Sequence, residues 1–364
     1  MVMGQVTKHL IIDALLVLAI GISSPSIEAK QLSNIAPRQI SVSNSVELLA
    51  AVDKANQTGN IEIILQAGRY PLNTTLQFLK PHISLMSTER DPQKTQIIGV
   101  GMRQTPGVNN IIRVAAAHFT FDGMTLEQSP NHLIQIAGEA NADYPVLRNC
   151  IMRDAYEQLV KVSHNPDTGI ASDGGLIENC RFEYTAGIGP QYYIGGIDAH
   201  GGQDWIVKNN YFYGIASPEN KIAEHAIHFW TNTQNISVIG NIIYNCDRGI
   251  GFGMPKRPNF GGVISNNLIV HNNKLHPNAD TGIILEESRG TLVSGNRIYL
   301  ANNYPNAIEY RFEQSINVKI EHNISNKKIT KRNSAQAKLT GNILTADIDQ
   351  LLSRAEQQQF GFKL

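Results

Sequence analysis

Five side chains in the middle of the chain have the types that proton-transfer chemistry needs: Lys161, Asp198, His200, His228 and Trp230. A histidine is a base that works near neutral pH, a neighbouring carboxylate orients and polarises its ring, and an ammonium group neutralises charge developing on an anionic substrate. Tryptophan adds a flat apolar face on which a sugar ring can stack. In linear sequence the five form no compact motif, so elements that repeat along the chain must bring them together.

Such a repeat is present. Its strand part reads Leu133-Ile134-Gln135-Ile136, Leu159-Val160-Lys161-Val162, Gly196-Ile197-Asp198-Ala199, Ala226-Ile227-His228-Phe229, Gly249-Ile250-Gly251-Phe252, Gly282-Ile283-Ile284-Leu285 and Ala307-Ile308-Glu309-Tyr310. Its turn part is centred on Cys150, Cys180, Asn210, Asn241, Asn267, Asn296, Asn323 and Asn342. A spacing of roughly 20 to 31 residues is that of one solenoid coil. The strands are short and rich in Ile and Val, and no helical stretch between them is long enough for a βαβ crossover. The expected fold is therefore all-β, a single-stranded right-handed parallel β-helix with helical caps at both ends. In the turns, an asparagine amide can bond its own backbone and the equivalent amide one coil along, so these residues are expected to be structural.

Alternation along a strand points residues one and three places after the shared aliphatic outward. Aligned on that aliphatic, one outward column reads Gln135, Lys161, Asp198, His228, Gly251, Ile284, Glu309, and the next reads Ala137, Ser163, His200, Trp230, Gly253, Glu286, Arg311. Lys161, Asp198, His200 and His228 become candidate catalytic residues on three consecutive rungs. Trp230, Glu286, Glu309 and Arg311 are candidate substrate-binding residues on the same face. Gly251 and Gly253 make a bare rung, expected to be a groove floor where a sugar approaches the backbone. Tyr193, beside Tyr192 in the insertion before Gly195, is expected in the groove wall. Each residue also has a plainer reading: the histidines can bond neighbouring turns, Trp230 can pack under the loop 217–224, and Glu309 with Arg311 can be a surface ion pair worth little.

Metal readings divide. His200, His225, His228 and Asp198 have zinc-ligand types, but His225-x-x-His228 on a strand would put its two ends on opposite faces, so no metal site is assigned. No cofactor is required, and calcium is kept open through Asp280, Glu286, Glu287 and Glu309.

The chain has 364 residues, 42% hydrophobic and 17% charged, which makes it a folded protein with a large interior. One extended domain suffices, with the solenoid over 30–346, a cap helix near 45–57, and a cap helix and tail over 347–364. Lys8 and His9 precede an apolar run, Leu10 to Ile22, broken by Asp13, and small residues end at Ser26-Ile27-Glu28-Ala29. That is the layout of a signal peptide over 1–29, and the run is short for a membrane span. The expected location is periplasmic or secreted, with no membrane association of the mature form. Removing Lys8, Asp13 and Glu28 leaves 30 basic against 29 acidic residues, a balance that gives no reason to expect a nucleic-acid partner. A monomer is expected. The three cysteines, Cys150, Cys180 and Cys246, are read as buried thiols, the first two stacked on successive coils within reach of a disulfide.

The cap sequence SVELLAAVDKANQ, the segment IILQAGRY and the repeated coils together resemble the pectin-lyase-like superfamily of right-handed β-helices, over nearly the whole mature chain. That superfamily holds polysaccharide lyases, glycosidases, uronan C5-epimerases and adhesins, so the fold alone selects no reaction. Gly196-Ile197-Asp198-Ala199-His200-Gly201 is similar to the Asp-Pro-His-Asp strand of mannuronan C5-epimerases, with Ala199 for Pro and Gly201 for the second Asp, and DTGIILEESRGTLVSGN is similar to their later coils. The resemblance implies that Asp198 and His200 are catalytic-strand residues and that the partner is an acidic polysaccharide. It implies abstraction of the C5 proton of a uronan such as alginate, followed by elimination or epimerisation. The rival expectation is a non-catalytic carbohydrate-binding or surface β-helix.

Overall fold

Short strands separated by turns wind into about 11 turns of a right-handed parallel β-solenoid. The computed structural model describes residues 36–274 and 276–362, so the expected signal peptide over 1–29 lies outside the described residues. Three parallel sheets of 12, 10 and 11 strands run along the coil. Their inward residues fill it: Ile134, Ile136, Val160, Val162, Ile197, Ile227, Phe229, Ile250 and Phe252 are all fully buried.

The ten-stranded sheet carries the candidate site, and its register is the one expected from the repeat. Lys161 pairs with Asp198, Asp198 with His228, His228 with Gly251, Gly251 with Ile284 and Ile284 with Glu309. In the second column His200 pairs with Trp230 and Glu286 with Arg311. The register is fixed because a slip of one residue would turn every buried aliphatic outward.

The asparagine turns form a continuous ladder. Asn267, for example, accepts from the Asn241 backbone at 2.9 Å and side chain at 3.0 Å, and donates to Val238 O at 3.0 Å and Asn296 Oδ1 at 2.9 Å. The residue before each rung has positive φ, from Asn149 at 54° to Gly341 at 61°, which is why that position is mostly Asn or Gly. Cys150 and Cys180 continue the column as free, buried thiols with their sulfurs 3.3 Å apart.

Helix α1 (Ser45–Thr58) covers the first coil with Leu48, Ala51, Val52 and Ala55. Asn44 caps its start by accepting from the Glu47 amide, and Gly59, at φ 69°, ends it.

The C-terminal segment departs from the expected single cap helix. It forms two short helices, α2 (Ile348–Leu351) and α3 (Arg354–Gln359), the second opened by a Ser353–Glu356 capping box. They fold back over the outer face of the eleven-stranded sheet instead of closing the last coil. There Leu351, Leu352 and Phe360 pack with Leu268 and Val270 against Tyr244, and Arg297 clasps Glu356 at 2.7 and 2.6 Å. Leu339, Ile343 and Leu344 of the final coil stay exposed. The outer face of that sheet carries Tyr211, Ile242, Tyr244 and Leu268, an apolar stripe that a helix buries more area against than it would on a two-residue final strand. Among the described residues no helix is long and apolar enough to cross a membrane.

Candidate active site

Asp198 and His200 lie on the strand Ile197–His200, between the strand Val160–Ser163 that brings Lys161 and the strand His225–Trp230 that brings His228 and Trp230. The Lys161 ammonium reaches one rung across, pairs with the Asp198 carboxylate and donates to His200 Nε2 at 2.9 Å. Trp230 Nε1 donates to the other carboxylate oxygen of Asp198 at 2.7 Å. Because His200 Nε2 accepts from lysine, the ring proton sits on Nδ1, which lies 3.5 Å from Thr231 Oγ1. Burial works to raise Asp198, but the neighbouring His200 imidazole and the Lys161 charge outweigh it and hold the carboxyl well below the usual range. Asp198 is thus an anion inside the face, while Lys161 and His200 keep part of their surface in solvent.

Beside His200 lies a groove of about 330 Å³, lined by its chain neighbour Gly201 and, among others, by His164, Asp173, Gln203, Thr231 and Gln234. His164 stacks on His200 with centroids 5.6 Å apart. On another side stands Tyr193, held by Gln191, which accepts from its amide at 2.7 Å and donates to its carbonyl at 3.0 Å. Burial raises the Tyr193 hydroxyl, which also feels the charges of Lys161, Asp198, Glu157 and Glu224. Arg257, unremarked in the sequence, comes from the loop after the strand Arg248–Phe252 and holds its guanidinium 4.8 Å above the Trp230 ring. Only its position in a Met-Pro-Lys-Arg-Pro loop beside the glycine rung hinted at it.

Several expectations change. Trp230 is only half-buried, but its indole is engaged by Asp198, by Arg257 and by a parallel stack on His228 at 5.1 Å, so it is no free platform for a sugar. His228 is buried, with Nε2 3.2 Å from the Gly253 carbonyl, and has no solvent face from which to act as a base. Gly251 is no groove floor, because the His225 imidazole lies over it: a methyl group there would stand 2.8 Å from His225 Nε2. Gly253 serves the backbone, with φ 74° and the Glu286 carbonyl 1.9 Å from where a Cβ would be. The opposite-face argument for His225 and His228 also fails. Their centroids are 4.4 Å apart, because His225 opens its strand straight from the loop and curls into the space that Gly251 leaves.

Glu309 is fully buried and saturated, accepting from Tyr304, Asn306 and, at 3.0 Å, Arg332. It is an internal buttress and offers substrate nothing. Its expected partner Arg311 instead pairs with Glu286 at 2.8 Å, and both keep some exposure. Three of the four carboxylates named for calcium are engaged by cations. Glu286, Glu309 and Asp280 each face a guanidinium, the last from Arg248 at 3.5 Å, whereas calcium needs six to eight free oxygens.

The match to known proteins agrees with this architecture. Residues 109–327 fit the family model described as the right-handed beta helix region. Among solved structures, an alginate lyase from a Paenibacillus species aligns with TM-score 0.57 and 14% identity, over 85% of this chain and 99% of that one. A mannuronic acid specific polysaccharide family 6 lyase from human gut microbiota aligns with TM-score 0.51 and 13% identity, over 90% of each chain. At these identities the likeness is one of fold. No curated protein sequence matches the chain.

Proposed function

The chain belongs to the right-handed β-helix family, and on that premise we propose that it is an exported, carbohydrate-active protein that removes the C5 proton of an acidic polysaccharide, a uronan such as alginate. The observation that carries this reading is the Lys161 ammonium held between the Asp198 carboxylate and His200 Nε2, with His164, stacked on His200, lining the adjacent polar groove. Asp198 fixes Lys161 in place. A uronate carboxylate arriving in the groove competes for the ammonium, and Lys161 neutralises the charge that spreads onto that carboxylate as C5 loses its proton. The same exchange frees His200 Nε2, whose lone pair then takes the C5 proton. Loss of the C4 oxygen from the resulting anion gives an unsaturated end, and return of a proton to the opposite ring face gives the C5 epimer. Tyr193, whose hydroxyl burial keeps protonated and which feels the charges of Lys161 and Asp198, is assigned the proton that either route needs. The polar lining of the groove suits sugar hydroxyls.

One observation favours a second reading, a binding face without catalysis. Lys161, Asp198, His200 and Trp230 already satisfy one another, which is also what a rigid recognition surface requires. Incubation with a panel of uronans separates the two. Lyase action raises ultraviolet absorbance, and epimerisation incorporates solvent deuterium at C5 without chain cleavage. His200→Ala is expected to lower either rate by about 10²- to 10⁴-fold while binding persists. Binding without either signal, unchanged in His200→Ala, would leave the binding face as the function.

A further inference from the structure

Beside the Lys161 cluster, one group of side chains presents polar atoms that nothing in the fold uses. Glu224 ends the loop leading into the strand His225–Trp230, and its Oε2 lies 3.9 Å from His225 Nδ1 and 3.9 Å from His228 Nδ1. One donor atom from each of the three residues falls within 4.8 Å of the others. Those separations are too long for hydrogen bonds. Neither ring nitrogen of His225, nor Nδ1 of His228, has a hydrogen-bond partner, although both side chains are about 95% buried.

The tautomer of His228 is set by its surroundings. Its Nε2 faces the Gly253 carbonyl at 3.2 Å, and a carbonyl only accepts, so the proton is on Nε2 and the bare lone pair of Nδ1 points toward Glu224. The Nδ1 lone pair of His228 and the Glu224 carboxylate oxygen therefore face one gap that His225 Nδ1 also borders, a convergence of donor atoms that a cation in the gap would satisfy.

We propose that Glu224, His225 and His228 form a binding site for a divalent transition metal of the zinc class. Two imidazole nitrogens and one carboxylate oxygen are the donor set of zinc sites that keep an open position. Ligand atoms at about 2.0 to 2.2 Å from zinc stand roughly 3.3 Å apart at tetrahedral corners, so the two carboxylate–imidazole separations have to close by about half an ångström and the imidazole pair by up to about 1.5 Å. The Gly253 carbonyl is the outer partner that orients a metal-bound imidazole through its other nitrogen. The glycine rung gains a purpose here: position 251 must lack a side chain for His225 to reach the site, and position 253 supplies the carbonyl. The nearest cations are already countered, Lys161 by Asp198 and Arg248 by Asp280. Access is past Glu224, whose side chain keeps 33% of its exposure against 5 to 6% for the histidines. Calcium and magnesium, which prefer oxygen ligands, are not expected.

The inference stands apart from the uronan reading and is tested with no polysaccharide present. The full chain is stripped with a chelator, dialysed, and titrated by calorimetry with zinc sulfate and, separately, with calcium chloride. One zinc per chain and no calcium uptake are expected. Glu224→Gln, His225→Ala and His228→Ala should each weaken zinc binding by at least about a hundredfold, given that even outer-shell changes cost ten- to a hundredfold. Replacing zinc with cobalt should give visible absorption bands that these variants lack. Glu224→Gln alters a partly exposed side chain, so its circular dichroism should match the wild type and keep the comparison valid. If the wild type takes up no stoichiometric zinc, or Glu224→Gln and His228→Ala bind it as the wild type does, the site is not a metal site.

Discussion

Trp230 and Asp198 sit on adjacent strands, and the indole Nε1 of Trp230 donates to Asp198 Oδ1 at 2.7 Å on the outer face of the ten-stranded sheet. That bond turns a residue expected to meet the sugar into one that holds the carboxylate. Trp230→Phe keeps the ring and removes the donor. Hydrogen bonds to charged groups are worth about 1.5 to 3 kcal/mol, so denaturant unfolding should show a loss of that order. Uronan binding should change less than catalysis. A loss confined to binding affinity would return Trp230 to the role of a stacking platform.

Glu309 offers a parallel test of burial against exposure. Glu309→Ala strands Tyr304, Asn306 and Arg332 without their acceptor and is expected to cost about 2 to 4 kcal/mol, less than a wholly buried pair because Arg332 reaches solvent. The thermal midpoint should fall while the substrate KM, or Kd for a binding protein, stays near wild type. A variant of normal stability with weakened substrate binding would restore Glu309 to the groove.

The asparagine ladder should be strongest in its middle. Asn267→Ala deprives the Asn241 amide, the Asn241 side chain and Val238 O of partners, at a cost on the order of 3 kcal/mol. Asn342→Ala, at the last and partly exposed rung, should cost under about 1 kcal/mol, because water replaces what it loses. Equal shifts in thermal midpoint for the two variants would refute the ladder as a cooperative element.

The folded-back tail should respond to acid. Hydrogen bonds from Arg297 hold the Glu356 carboxyl down to about 2, against 4.5 for the free group. A carboxylate depressed on folding contributes stability that is complete above pH 4.5 and disappears as pH falls toward 2. The thermal midpoints of wild type and Arg297→Ala should therefore differ most above that range and converge by the acid end. The difference should be small, since both side chains keep part of their surface in solvent, which screens the pair. A gap that persists unchanged at the acid end would mean that Arg297 acts through packing alone.

Much of this molecule was legible from local pattern. Ile134, Val160, Ile197 and Ile227 recur at coil spacing, and period-two alternation then places Lys161, Asp198, His200, His228 and Trp230 on one face whatever the loops do. The turn asparagines were legible for a similar reason, since a positive-φ residue followed by an amide side chain has few other uses.

Partners were not legible, because each comes from another coil or from a loop. Nothing in Glu309 announces that Tyr304 and Arg332 will enclose it, and nothing in Arg257 announces that it will lie over Trp230. The tail's course was hidden because the apolar stripe it covers, Tyr244 with Leu268 and Val270, is assembled from separate coils. His225 and His228 show the limit most clearly. Alternation predicts opposite faces for them, yet at the start of a strand a ring takes whatever room its neighbours leave, and Gly251 leaves room on the outer face. The sequence alone determined the coil, its register and the residue types on each face, because those follow from backbone geometry that repeats locally. Only the tertiary structure decided which of those residues are occupied by one another and which converge on an unfilled gap, because that depends on distances between coils.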